Sequence, residues 1–193
     1  VARPAGLLPR RRASLRAREP GPRLGCGTGW LSEDFPEYVG LDHTPAAVDA
    51  ARARGVDVRL ADLERPLPVP DASFDGVVLK DVLEHLLDPV GVVAEAFRVV
   101  RPGGRVFASS PDAQRWAWHD YTHRRPETRT SMRRIFADQG FEVERLSYES
   151  VAPGTGIVSG WFPRKRRPRV LALLTWLPGW RRNVWIVARR PLG

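Results

Sequence analysis

Between Tyr38 and Leu146 the sequence alternates short apolar runs with segments of helical spacing, and this alternation restricts the fold more than any other feature. Tyr38-Val39-Gly40-Leu41 is an apolar run ending at Asp42. Thr44-Pro45 then opens a helix through Ala46 to Arg54, with threonine as cap, proline in the first turn and Gly55 as the stop. Val56 to Leu60 alternates as a strand does, and a proline-rich loop (Pro66 to Pro70) follows. Phe74-Asp75-Gly76-Val77-Val78-Leu79 reads as a buried strand, and Val82 to Val100 as a helix with apolar spacing near 3.6. Arg101-Pro102-Gly103-Gly104 predicts a turn into a strand from Arg105 to Ser109. Thr130 to Gly140 predicts another amphipathic helix, Phe141 to Leu146 a strand and Asn183 to Ala188 a last strand. Strands alternating with helices at these lengths imply βαβ units. The expected class is therefore α/β, a mostly parallel sheet with helices on both faces.

Composition removes several alternatives. At 193 residues the length suits one domain with a full core. No apolar run approaches the roughly 20 residues needed to span a bilayer, and the arginine-containing start has no apolar region of a secretory signal. Cys26 is the only cysteine and the four histidines are scattered, which excludes a disulfide framework and argues against a cysteine-based zinc site. No metal is expected, and a reducing cytoplasm is the default location. The net charge of +9 is unevenly placed: residues 1–24 carry +6, residues 161–193 carry +9, and residues 25–160 carry −6. An acidic middle with basic ends is not the continuous basic face of a nucleic-acid binder. Only Lys80 and Lys165 of the 31 basic residues are lysines, a bias that fits arginine-rich codon usage.

Three short segments concentrate at the ends of the predicted strands. Gly25-Cys26-Gly27-Thr28-Gly29 follows Leu24 and precedes a helical start, as a strand-to-helix turn would. Such a loop could hold a dinucleotide or S-adenosylmethionine. In the dinucleotide pattern the third glycine would fall at Trp30, where an indole obstructs the approach of a pyrophosphate. Asp42, after the next strand, can accept hydrogen bonds from both hydroxyls of a ribose. Asp62 can accept from an adenine amino group while Leu63 covers the ring. All three segments lie at the C-terminal ends of consecutive strands, where open α/β sheets bind ligands.

Gly25-Cys26-Gly27-Thr28-Gly29, Val39-Gly40-Leu41-Asp42, Ala61-Asp62-Leu63, Phe74-Asp75-Gly76-Val77-Val78, Val82-Leu83-Glu84-His85 and Arg101-Pro102-Gly103-Gly104 together resemble the ordered motifs of class I methyltransferases of the type 11/12 group. The resemblance runs from residue 24 to about 148. It implies a Rossmann-like seven-stranded sheet with an antiparallel last strand, and S-adenosylmethionine as cofactor. The cofactor-binding residues it implies are Gly25, Cys26, Gly27, Gly29, Asp42, His43, Asp62, Leu63, Lys80 and Asp81, the last two mainly through backbone atoms. The implied activity is methyl transfer to a small molecule. A catalytically inactive relic or binding module is the alternative, followed by a nicotinamide-dependent oxidoreductase.

The start of the sequence departs from that pattern. Where these enzymes carry an acid on an apolar first strand, this chain has Gly21-Pro22-Arg23, so the first strand and the cap helices before it are expected to be degraded or absent. A single-base deletion just before Leu24 would account for this, because codons for Gly-Pro-Arg read one base later give Val-Leu-Asp. Residues 1–20 are expected to form a poorly ordered basic segment, 21–150 the core, and 151–193 an acceptor-side insertion and last strand of the same domain.

Candidates for a proton acceptor are His85, after Lys80-Asp81, and His119 and His123 in Trp116-Ala117-Trp118-His119-Asp120-Tyr121-Thr122-His123. His123 is the first choice. The basic and Trp-containing segment 161–177 is expected to pack over the acceptor pocket, with an anionic membrane as the competing contact.

Overall fold

The computed structural model describes residues 23–26, 32, 35, 37–150 and 181–193. They form a seven-stranded sheet from β1 (Arg23–Cys26), β2 (Tyr38–Asp42), β3 (Val58–Leu60), β4 (Phe74–Lys80), β5 (Val100–Pro111), β6 (Glu142–Ser150) and β7 (Arg181–Arg189). Its spatial order is β3-β2-β1-β4-β5-β7-β6. The pairs among β1 to β5 are parallel, and β7 runs antiparallel to both β5 and β6. Among the described residues three α-helices flank it: α1 (Pro45–Arg52), α2 (Pro89–Val99) and α3 (Arg129–Asp138).

The burial of β4 explains why its sequence is continuously apolar. Every residue from Phe74 to Leu79 is buried, and successive side chains enter opposite layers. Val77 and Leu79 join the main core with Val92, Val93 and Ala96 of α2 and Met132, Ile135 and Phe136 of α3. Val78 faces the other way, with Phe35, Tyr38, Phe107 and Val187. Val48 and Ala51 of α1 pack on Val58 of β3.

Three expectations are corrected. The first strand is present: Arg23, Leu24 and Gly25 pair with Tyr38, Val39 and Gly40 on one side and with Gly76, Val77 and Val78 on the other. Ladder bonds come from backbone N–H and C=O groups, which Arg23 and Leu24 supply whatever their side chains. Pro22, which lacks a donor, falls before the paired residues. Second, the helix expected from Val82 begins only at Pro89. Pro89 cannot donate to a preceding turn, and Asp88 Oδ1 accepts from Gly91 N at 2.9 Å as a new cap. The residues before it form a single 3-10 turn, Leu83–His85, followed by extended Leu86. Third, the Arg101–Gly104 turn lies inside β5. The pairing with β4 passes from Phe74–Val100 to Gly76–Arg105, so these four residues bulge away from β4, while Gly103 N donates to Arg190 O and Gly104 O accepts from Arg190 N. Gly103 takes φ +83°, and a Cβ on Gly104 would stand 2.9 Å from Asp75 O and 3.0 Å from Arg101 O.

The other elements agree with expectation to within a few residues at their ends. Thr128 and Ser131 form a reciprocal capping box at the start of α3. Around the proline-rich loop, Arg98 of α2 donates to Glu95, to Asp71 and to the carbonyls of Leu67 and Val69. Glu95 Oε2 in turn accepts from Leu67 N at 2.8 Å. That network pins a loop whose prolines cannot form ladder bonds. Among the described residues no helix is long and apolar enough to cross a membrane.

Candidate functional site

Parallel strands β1 and β4 are neighbours, and their connections leave the sheet in opposite directions. This is the switch point at which open α/β sheets bind ligands. Gly25 and Cys26 are the last residues of β1 and pair with Gly40 and Leu41, one residue short of Asp42. Gly27 and Gly29, with the rest of the glycine loop, lie outside the described residues.

Asp42 ends β2, paired with Leu60, and is partly buried. Its Oδ1 accepts from Thr44 N at 2.8 Å, which fixes the carboxylate at the start of α1. Its Oδ2 has no hydrogen-bond partner among the described residues. His43 beside it is exposed, with Nδ1 3.9 Å from Asp42 Oδ1. Past β3, Asp62 Oδ1 accepts from Glu64 N at 3.0 Å, and Oδ2 stands 3.4 Å from Arg65 Nε in an exposed pair. Such a pair contributes little and yields readily to a ligand. Leu63 is half-buried against the main core.

Lys80 and Asp81 end β4 with their side chains already engaged. Lys80 Nζ contacts Asp81 Oδ2, and Asp81 Oδ1 accepts from Ser109 Oγ at 3.0 Å and Asn183 Nδ2 at 3.1 Å. Asp81 has φ +52°, a left-handed conformation that a non-glycine residue holds only under constraint. Its bonds to β5 and β7, including Asp81 N to Ser109 O at 2.9 Å, supply that constraint. These ties leave backbone atoms as what this corner offers a ligand.

The 3-10 turn after Asp81 brings three groups together that the sequence separates. The rings of His85 and His123 meet edge-on, with centroids 4.9 Å apart. His123 Nδ1 is 2.7 Å from Ala117 O, and His85 Nδ1 is 3.2 Å from Thr122 O. A carbonyl can only accept, so each Nδ1 carries a proton and each Nε2 is the ring nitrogen left for other contacts. Glu84, fully buried, places Oε1 3.9 Å from His85 Nε2. Neither of its oxygens makes a well-formed hydrogen bond among the described residues; its own N–H and the Ser110 hydroxyl are the donors near it. Burial pushes this carboxyl up to about 8, opposed by its own N–H, raised further by the charge of Asp81, and opposed again by Ser110 and Lys80. Asp120 lies at the rim with Oδ2 3.7 Å from His123 Nε2, its carboxyl held below the usual range chiefly by the Thr122 hydroxyl. His119 is exposed at the end of a 3-10 turn, Arg115–His119, and does not join the cluster. Sequence reasoning did not single out Glu84. The available signal was an acid enclosed by Val82-Leu83 and Leu86-Leu87.

The strand order and the acids at the ends of β2 and β3 define a Rossmann-like sheet of the class I methyltransferase type. Residues 23–108 match the family model described as "Methyltransferase domain". That segment therefore resembles an S-adenosylmethionine-dependent methyltransferase domain of class I. It is 37% identical over 131 residues to a Mycolicibacterium smegmatis protein named a probable S-adenosylmethionine-dependent methyltransferase, covering 62% of this chain and 51% of that one. It is also 37% identical over 108 residues to a ubiquinone biosynthesis O-methyltransferase of Hahella chejuensis, covering 49% and 45% respectively. The chain thus spans about half the length of these curated relatives. The crystal structure of a SAM-dependent methyltransferase from Archaeoglobus fulgidus shares the fold, with TM-score 0.70 at 16% identity over 94% of this chain and 91% of that one.

Proposed function

We propose that this chain transfers a methyl group from S-adenosylmethionine to a small-molecule acceptor by in-line displacement, in the cytoplasm. The observation that carries this reading is Asp42. Its carboxylate is fixed through Oδ1 by Thr44 N, its Oδ2 is left without a hydrogen-bond partner among the described residues, and it stands beside the switch point. The residues fit the cofactor: Asp42 Oδ2 accepts from ribose hydroxyls, Asp62 from the adenine amino group, and Leu63 covers the ring. When bound, the cofactor supplies a methyl group on a positively charged sulfur, ready for attack by an acceptor atom. In-line transfer depends chiefly on positioning, which the segments after β2 and β4 support. His123, with Nδ1 anchored on Ala117 O and His85 beside it, takes up the proton lost by the acceptor at Nε2. The ubiquinone-pathway name of one relative supports a small-molecule acceptor. The position of β7 between β5 and β6 supports counting residues 151–193 in one domain with 21–150.

Calorimetry with S-adenosylhomocysteine tests the cofactor half of the proposal, with one site per chain expected. Transfer of labelled methyl to a panel of hydroxylated small molecules tests the other half. Absence of binding by the purified chain would remove the enzyme reading and leave a relic of the fold.

A further inference from the structure

We infer that Glu84, His85 and His123 form a binding site for a divalent first-row transition-metal cation at the C-terminal end of β4. One carboxylate oxygen and one ring nitrogen from each histidine lie within 4.8 Å of one another. The decisive feature is what this group lacks. Both Nδ1 atoms face backbone carbonyls, Ala117 O and Thr122 O, which leaves both Nε2 atoms outside those bonds, that of His85 3.9 Å from Glu84 Oε1. The Glu84 carboxyl is fully buried, and its oxygens make no well-formed hydrogen bond among the described residues. A buried carboxyl and two ring nitrogens thus converge with their hydrogen-bonding capacity poorly used, a donor set that a cation can satisfy.

The surroundings match those of a metal site. Metal-bound imidazoles characteristically donate their other N–H to a backbone carbonyl or carboxylate, which fixes ring and tautomer. Both histidines here do so. Two imidazoles and a carboxylate suit Zn2+, Co2+, Mn2+ or Fe2+ rather than Ca2+ or Mg2+. Ligand atoms lie about 2.0–2.2 Å from such ions, so the trio draws inward by roughly an ångström on binding. Asp120 Oδ2, 3.7 Å from His123 Nε2, is near enough to add a fourth ligand. Three protein ligands leave a coordination position open, as catalytic sites do. A bound ion and an accepted proton use the same Nε2 lone pairs, so the ion would take over the acid–base role of this corner.

The test is titration of Co2+ into the chelator-treated full chain, followed by its visible absorption. One equivalent is expected to bind with the band of a nitrogen- and oxygen-ligated ion. E84Q, H85Q and H123Q should each weaken binding at least about tenfold, while H119Q should not. S-adenosylhomocysteine binding by the variants checks that they fold. On the unmutated chain, spin-echo spectra of bound Mn2+ should show imidazole nitrogen modulation. Failure of the unmutated chain to bind Co2+, binding unaffected by H85Q and H123Q, or spectra without nitrogen modulation would each overturn the inference. Because the metal is read directly, this result stands apart from that of the cofactor calorimetry.

Discussion

Replacing Asp42 by asparagine separates the two tasks assigned to one carboxylate. Oδ1 accepts from Thr44 N at 2.8 Å, and the amide oxygen of asparagine can accept the same bond, so α1 keeps its start. The second oxygen becomes an NH2 group. It can only donate, and a ribose hydroxyl held there loses a charged acceptor. A hydrogen bond to a charged group contributes about 1.5–3 kcal/mol, and 1.4 kcal/mol is a factor of ten. D42N should therefore bind S-adenosylhomocysteine about 10–150-fold more weakly, with its urea midpoint almost unchanged. D42A loses the Thr44 bond as well and should unfold about 1 kcal/mol more easily. Isothermal calorimetry and urea denaturation on the three proteins give all the values needed. D42N binding within about threefold of the parent would refute the assignment of Oδ2 to the cofactor.

Further expectations concern the scaffold and the gene. G104A should lose about 1–3 kcal/mol in urea denaturation, because its methyl would press on the rigid carbonyls of Asp75 and Arg101. Arg98 holds the Glu95 carboxyl below its ordinary range, so that pair's contribution is full above the ordinary glutamate pKa and is lost as pH falls through the depressed value; R98M should remove this acid sensitivity in melts from pH 7 to pH 3. Glu127 is the opposite case: burial raises its carboxyl, so its contribution is full below the ordinary glutamate pKa and is lost as pH rises through the raised value. E127Q should therefore gain stability over the parent at pH 8 and lose that advantage by pH 4, as denaturant midpoints will show. Resequencing of the coding locus around codons 21–24 separates a single-base deletion, whose repair would restore Val-Leu-Asp, from a divergent or misassigned start, which would leave the present frame intact.

The α/β class and the acids at the strand ends were legible because each depends on a local pattern. Val77 and Val78 had to be apolar once the strand was covered on both faces, and Asp42 and Asp62 interrupt apolar runs where those strands end. What escaped depended on interruptions or on distance. Apolar spacing continues unbroken from Val82 to Val100, yet Pro89 with its Asp88 cap splits the segment and turns Glu84 and His85 toward the site. The bulged residues 101–104 look like an ordinary turn because glycines serve both. β1 was underestimated because side-chain character was given precedence over backbone pairing. The meeting of His85 with His123 is set by the loop after β5, for which sequence spacing contains no distance information.

The placement of β7 has a consequence for the order of events during synthesis. A ribosome delivers β6 before β7, but among the described residues β6 pairs in the sheet with β7 alone. Until residues 181–189 emerge, β5 presents an unpaired edge and β6 has nothing to pair with. The same strand delivers Asn183 to Asp81, a partner 102 positions earlier in the chain. The corner after β4 is thus made well before it is completed. A nascent chain halted before residue 181 holds the C-terminal ends of β1 to β5, but lacks the tether that steadies Asp81 in its left-handed conformation.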